Sequence, residues 1–232
     1  MRILAIETAT IEVGVALGDE TGPLATVTVR PGRRQAETLH PAIADVCRIG
    51  RTAPAELDAI AVDIGPGLFT GLRVGVAAAK ALAGGLGLPV VTATSLEILS
   101  AACPTSGSVV PVVDMRRGEV AWLMPKSSAA EFRVGSPGEL AAELALLTGP
   151  VLLVGDGALR HRSQLTGAVS PPPVLAGPEL AAPPVASLVV LAMAAMSKGS
   201  HCDPAAVRPV YGREADARIN WSSRQGREAV SR

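Results

Sequence analysis

Three features of the chain predict an α/β fold built from two mixed sheets covered by helices. Three short apolar runs open it, strand-like and helix-like stretches then alternate, and a similar order of elements starts again near residue 109. The opening runs, 2–7, 13–17 and 24–29, are separated by turn-forming residues such as Gly18-Asp19-Glu20-Thr21-Gly22-Pro23, which predicts an antiparallel meander. A helix follows over 36–47, with Leu39, Ile43, Val46 and Cys47 on one stripe. Pro41 lies inside it, and since an interior proline costs about 3 kcal/mol, a start or kink near His40 is expected. Gly50 stands where a chain leaving a helix often turns left-handed.

The next strand, 57–64, is broken by Gly65-Pro66-Gly67 and followed by a long, charge-poor helix over 68–86. Gly71, Gly75, Ala79 and Ala83 recur along it at intervals of four, a ridge of small residues that serves either core packing or a dimer seam. Residues 89–93 form a further strand, after which Thr94 or Ser95 caps a helix. Pro104-Thr105-Ser106-Gly107-Ser108 is a break between larger units, so the domains are placed at 1–103 and 104–212, with a polar, mildly basic tail over 213–232 loosely held beyond Trp221. In the second unit, strands 109–114 and 119–124 flank Met115-Arg116-Arg117-Gly118, whose length and glycine suit a hairpin. A helix over 137–147, a strand over 151–154, a linker at Pro171-Pro172-Pro173 and a helix over 185–196 complete the body.

Composition bounds the function. Of 232 residues, 48% are apolar and 18% charged, so a packed core is available and global disorder is excluded. Twenty-one basic residues balance twenty-one acidic ones, which argues against gripping nucleic acid by bulk charge. The aromatic residues are Phe69, Trp122, Phe132, Tyr211 and Trp221, too few for an extended base-stacking platform. Cys47, Cys103 and Cys202 are scattered and odd in number, which fits a reducing cytoplasm better than a disulfide framework. The uncharged run 180–197 is interrupted by Pro183 and Pro184, and its apolar part falls short of the ~20 residues of a membrane span.

Two turns are candidates for phosphate binding. Glu7-Thr8-Ala9-Thr10 follows the first strand with an acid and two hydroxyls, and Gly65 and Gly67 precede a helix N-terminus whose amides are free to hold an anion. An ordinary hairpin turn and a tight packing turn are the competing readings. Asp63 and Asp114 each end an apolar strand and either form a functional pair or cap the turns behind them. Lys80 is read as a surface residue extended along its helix. No H-E-x-x-H or G-x-S-x-G motif is present, and His40, His161 and His201 stand apart, so no metal site and no catalytic residues are assigned.

The stretches ILAIETAT (3–10), DIGPGLFTGLRVGVAAAKALA (63–83), VDMRRGEVAW (113–122) and RPVYGREADARINW (208–221) resemble the TsaB (formerly YeaZ) family, the short members of the glycoprotease-like group. The resemblance implies two actin/Hsp70/hexokinase-like (RNase H-like) subdomains. It implies a dimerisation and scaffold role, without catalysis, in forming N6-threonylcarbamoyladenosine next to the tRNA anticodon. The partners implied are a TsaD-like transferase, a small TsaE-like ATPase and, for the chain alone, a second copy, with tRNA met only through the complex. The catalytic relatives carry two histidines four residues apart on the first helix; here His40 is flanked at that spacing by Ala36 and Ala44. No intrinsic cofactor is therefore expected, and ATP or ADP with Mg at the partner interface is the candidate exception. The pairing surface of the family is placed on the two helices of the first domain, here on Leu39, Ile43, Val46, Leu72, Gly75, Val76 and Ala79. A small ATPase or kinase using the two turns is the rival reading, and a peptidase a distant third.

Overall fold

The computed structural model describes residues 1–212, apart from Arg33, Ser106 and Ala168. The expected tail over 213–232 lies outside the described residues. Strands β1 (Ile3–Glu7), β2 (Val13–Asp19) and β3 (Gly22–Val29) form the meander. The chain then forms helix α1 (Gln35–Ile49), strand β4 (Ala59–Asp63), helix α2 (Phe69–Leu86), strand β5 (Val90–Ala93) and helix α3 (Ser95–Ala101). The first sheet has the order β3-β2-β1-β4-β5, with β1 antiparallel to β2 and parallel to β4.

A second sheet is built from β6 (Ser108–Asp114), β7 (Val120–Trp122), β8 (Arg133–Gly135), β9 (Val151–Val154) and β10 (Val174–Leu175), in the order β10-β9-β6-β7-β8. Helices α4 (Pro137–Leu144), α5 (Asp156–Arg160) and α6 (Arg162–Gly167) accompany it, and α7 (Val185–Ser197) follows in the chain. Both sheets are mixed and covered by helices, as expected. Strands β8 and β10 and helices α5 and α6 were not foreseen, being three residues or fewer for each strand and six or fewer for each helix. Pieces that short carry no readable period.

Side-chain alternation explains why the first sheet is covered on both faces. Leu4 and Ile6 of β1 point into a core shared with Leu39, Ile43 and Val46 of α1 and Val76, Ala79 and Ala83 of α2. Ile3 and Ala5 point to the opposite face, into a core with Ile98 of α3 and Val185, Leu188, Val189 and Ala192 of α7. Helix α3 stands between the two sheets, because Leu96 and Leu99 pack instead with Val113 and Val154 of the second. Helix α7 therefore closes the first sheet, and Cys202 bridges to Val90 while Val210 N–H donates to the Ile64 carbonyl at 2.7 Å. The expected domain 104–212 is corrected on this point: its last segment, from α7 to Val210, returns to the first sheet.

Two local expectations also change. Helix α1 starts at Gln35 and runs through Pro41. Gly50 is not left-handed (φ −75°); Arg51 takes that conformation at φ +50°, and a Cβ on Gly50 would stand 2.3 Å from Leu17 Cδ2, so the glycine serves close packing. Thr94 is the cap of α3, its hydroxyl accepting from Glu97 N–H while Glu97 accepts from Thr94 N–H.

The small-residue ridge of α2 faces inward. A Cβ on Gly71 would lie 2.0 Å from the Thr8 carbonyl oxygen and one on Gly75 would lie 2.2 Å from Thr8 Oγ1, so the ridge is core packing. Gly84, further along the same helix, has no atom within 4 Å of an added Cβ. Gly71→Ala is expected to lower unfolding stability by about 2 kcal/mol or more, whereas Gly84→Ala leaves it unchanged or raises it by up to ~1 kcal/mol. Urea denaturation followed by circular dichroism measures both.

Candidate functional site

The two turns nominated for phosphate are packed on each other. Glu7 and Thr8 are each 1% exposed and Thr10 5%. Thr8 Oγ1 donates to the Gly71 carbonyl at 2.8 Å, Ala9 N–H donates to Glu7 Oε1 at 2.7 Å, and Gln35 Nε2 donates to the Thr10 carbonyl at 2.7 Å. The first amide of the α2 entry, Leu68 N–H, donates to the Ala9 carbonyl at 2.7 Å. Gly67 permits this, since a Cβ there would meet the Ala9 oxygen at 2.2 Å. Gly65 has φ +98° and a Cβ there would lie 2.7 Å from the Val210 oxygen. The structure thus brings Glu7, Thr8, Thr10, Gly65 and Gly67 together at a junction of β1, α1 and α2, and uses the Glu7 carboxylate, the Thr8 hydroxyl and the Thr10 carbonyl in bonds within the chain.

Asp63 and Asp114 both act as turn caps, the second of their two readings. Asp63 accepts from Gly65 N–H at 2.7 Å and from Ser95 Oγ at 2.8 and 2.9 Å, while Asp114 accepts from Arg116 N–H at 3.1 Å. They end strands of different sheets. Lys80 has a role that the sequence did not disclose: its Nζ donates to the Ala205 and Val207 carbonyls at 3.3 and 3.2 Å and ties the C-terminal segment to α2.

Every residue nominated for a pairing surface is internal, and this is a correction. Leu39, Val46, Leu72 and Ala79 are 0% exposed, Val76 5% and Ile43 9%, and Gly75 is buried against Thr8. The reason is general: the apolar stripe of an amphipathic helix faces the sheet that made it apolar. The outward faces are different residues. On α1 they are Ala36, Glu37, His40, Pro41, Ala44, Asp45, Arg48 and Ile49; on α2 they are Phe69, Thr70, Arg73, Ala77, Ala81, Gly84, Gly85 and Leu86. At the start of α2, Phe69 is 44% exposed and its ring lies 5.1 Å from that of Tyr211, with the Arg73 guanidinium carbon 3.9 Å above the Phe69 ring centre.

The model of the family described as "TsaD: tRNA N6-adenosine threonylcarbamoyltransferase" matches residues 29–134. The chain is 36% identical over 121 residues to the tRNA threonylcarbamoyladenosine biosynthesis protein TsaB of Bacillus subtilis, covering 52% of this chain and 53% of that one. It is 35% identical over 125 residues to TsaB of Escherichia coli, covering 53% and 54%. A solved structure of YeaZ from Pseudomonas aeruginosa superimposes with a TM-score of 0.73 at 25% identity, over 90% of this chain and 99% of that one. A second Pseudomonas aeruginosa structure, with similarity to peptidase YeaZ, gives 0.79 at 27% identity over 91% and 99%. By these comparisons the chain is similar to TsaB (YeaZ) proteins. Its two mixed sheets, covered by helices, share the fold of those YeaZ structures. The chain spans about half the length of the curated TsaB relatives it matches.

Burial leaves two carboxyls of this junction in an unusual state. It pushes Asp63 up to about 7, against the pull of Gly65 N–H and the Ser95 hydroxyl, and pushes Glu7 well above the carboxylate range, with Asp63 adding to it. An unfolded aspartate releases its proton near pH 4, so between about 4 and 7 the folded chain holds more protons and its stability falls as pH rises. Asp63→Asn is expected to flatten that part of the pH profile. Thermal unfolding between pH 4 and 8 checks it, and an unchanged slope contradicts it.

Proposed function

We propose that this chain is a noncatalytic scaffold subunit of a cytoplasmic complex that forms N6-threonylcarbamoyladenosine in tRNA. In this reading it supports a TsaD-like transferase, which holds the chemistry, together with a TsaE-like ATPase. The observation that carries the proposal is the outward faces of α1 and α2. The two helices lie on the same side of the first sheet, and their outer surfaces carry Ala36 and Ala44 on one and Ala77 and Ala81 on the other. Small side chains let a second helix pair approach closely, so a partner with a similar pair completes a four-helix packing. The same surfaces account for self-association when the partner is absent. ATP or ADP with Mg, in this reading, binds at the junction with the partner rather than in the packed turn at Glu7–Thr10.

The matching relatives are tRNA threonylcarbamoyladenosine biosynthesis proteins, and the match to a TsaD family model supports a partner built on the same plan. The test is reconstitution: with the TsaD-like and TsaE-like proteins of the same organism, threonine, bicarbonate and ATP, tRNA modification should require this chain. An ATPase reading predicts instead hydrolysis by the chain alone that is lost on Thr8→Ala. The surface assignment has its own test. Ala77→Glu and Ala44→Glu place a charge on exposed positions and should each abolish copurification with the TsaD-like protein while circular dichroism stays unchanged; retained copurification places the interface elsewhere.

A further inference from the structure

The edge of a sheet carries unpaired backbone groups, and folds cover, shorten or charge such edges to keep other chains from pairing with them. Three of the four edges here are treated in that way. The β5 edge of the first sheet is covered by Cys202, whose N–H donates to the Val90 carbonyl at 2.8 Å and whose carbonyl accepts from Val90 N–H at 2.9 Å. The second sheet ends in β8 and β10, of three and two residues. Strand β3 is the exception. It runs for eight residues without a charged side chain, and among the described residues no hydrogen bond joins 22–29 to anything but β2. We propose that β3 is a dimerisation edge, on which the β3 of a second copy of this chain pairs antiparallel and joins the two first sheets into one. This contact is separate from the outward faces of α1 and α2, and it stands whether or not the scaffold reading holds.

The edge is regular where a partner strand would lie. In an antiparallel ladder every second residue turns its N–H and C=O away from the neighbouring strand. The register with β2 shifts once, between Leu17 and Gly18 near the hairpin, and Ala25–Val29 pair without interruption. Pro23, which has no N–H to offer, stands near the beginning of the strand. Ala25 and Val27 turn into the core beneath α1, so by alternation Thr26 and Thr28, both exposed, lie on the opposite face. Thr and Val over 26–29 are residues that suit a pleated ladder.

A second copy is the occupant because this edge and its surroundings are complementary to themselves. A two-fold axis normal to the sheet satisfies both free edges at once and keeps the corresponding helices on the same face. Helix α7 packs on the face of Thr26 and contacts β3. None of its thirteen residues is charged, and Val190 is 55% exposed, with Ala194 exposed one turn on. A helix that faces water ordinarily turns polar side chains outward. Two α7 helices flanking one seam bury that apolar surface instead. Charge then selects the direction. Asp19 and Glu20 stand before or at the hairpin turn and Arg30 and Arg34 after the strand, so antiparallel pairing brings the acids of each copy toward the arginines of the other, whereas parallel pairing sets like beside like. Glu20 and Arg30 also pair within the chain, with the amino terminus and with Glu12, yet their side chains remain 63% and 64% exposed.

Sedimentation equilibrium of the full chain, from low to high micromolar concentration, tests the proposal on a background of Ala44→Glu and Ala77→Glu, which removes association through the helix faces. That chain should remain a dimer. Adding Thr26→Lys and Thr28→Lys, both at exposed positions, sets like charges across the seam and should raise the dissociation constant about tenfold or more with an unchanged circular dichroism spectrum. Hydrogen exchange should show protection within 22–29 that rises with protein concentration, and should the lysine variant lose its fold, that readout on the unmodified strand decides alone. A monomer at high micromolar concentration overturns the proposal, as does a dimer indifferent to the two lysines. Loss of the dimer through Ala44→Glu and Ala77→Glu alone also overturns it and places self-association on the helix faces. Copurification of the wild-type chain with the TsaD-like protein reports on the scaffold reading separately.

Discussion

Helix α2 lies where it does because positions 67, 71 and 75 carry no side chain. Each of these glycines has the Thr8–Ala9 turn within 2.2 Å of where a Cβ would sit, so any larger residue drives the helix off β1. With the glycines in place, the Thr8 hydroxyl and the Leu68 amide close across the junction. That single contact determines much else. It buries the acid of Glu7 and the hydroxyls of Thr8 and Thr10, and it seals α1 through the bond from Gln35 to the Thr10 carbonyl. It also turns the opposite faces of both helices to solvent.

The rest of the architecture reinforces the junction. Core packing on both faces of the first sheet fixes β1 and β4 side by side, so Glu7 and Asp63 end adjacent parallel strands in the interior. Asp63 is held by Ser95, the first residue of α3, and α3 in turn packs between the sheets. Residues that read separately in the sequence, one at a strand end and one at a helix cap, are therefore one hydrogen-bonded unit. The second sheet repeats the device with different chemistry, using Asp156 to hold the Asp114 amide and Asp114 to hold two arginines.

Much of this was legible from residue pattern. The meander, the long second helix and the strand at 151–154 followed from hydrophobic runs bounded by Gly and Pro, and the capping hydroxyl from Thr94 with Glu97 three residues on. The site was less legible, for a physical reason. Periodicity identifies which face of a helix is apolar, and that face is the one folding consumes; Leu39, Ile43 and Val46 were nominated for a partner and belong to the core. The outward residues, chiefly alanines, have no signal of their own. Likewise, the spacing of Gly71 and Gly75 announces close approach without naming what approaches. The return of α7 to the first sheet depends on contacts more than a hundred residues apart, such as Val90 with Cys202, which no local pattern encodes.

Hydrogen exchange on the chain, first with saturating Mg-ATP and then with the TsaD-like protein, tests the central claim most directly. The account predicts no new protection at residues 7–10 and 65–68 with nucleotide alone, and strong protection along 36–48 and 69–84 when the partner is added. Protection of the 7–10 and 65–68 segments by ATP in the isolated chain, with α1 and α2 unaffected by the partner, would contradict it.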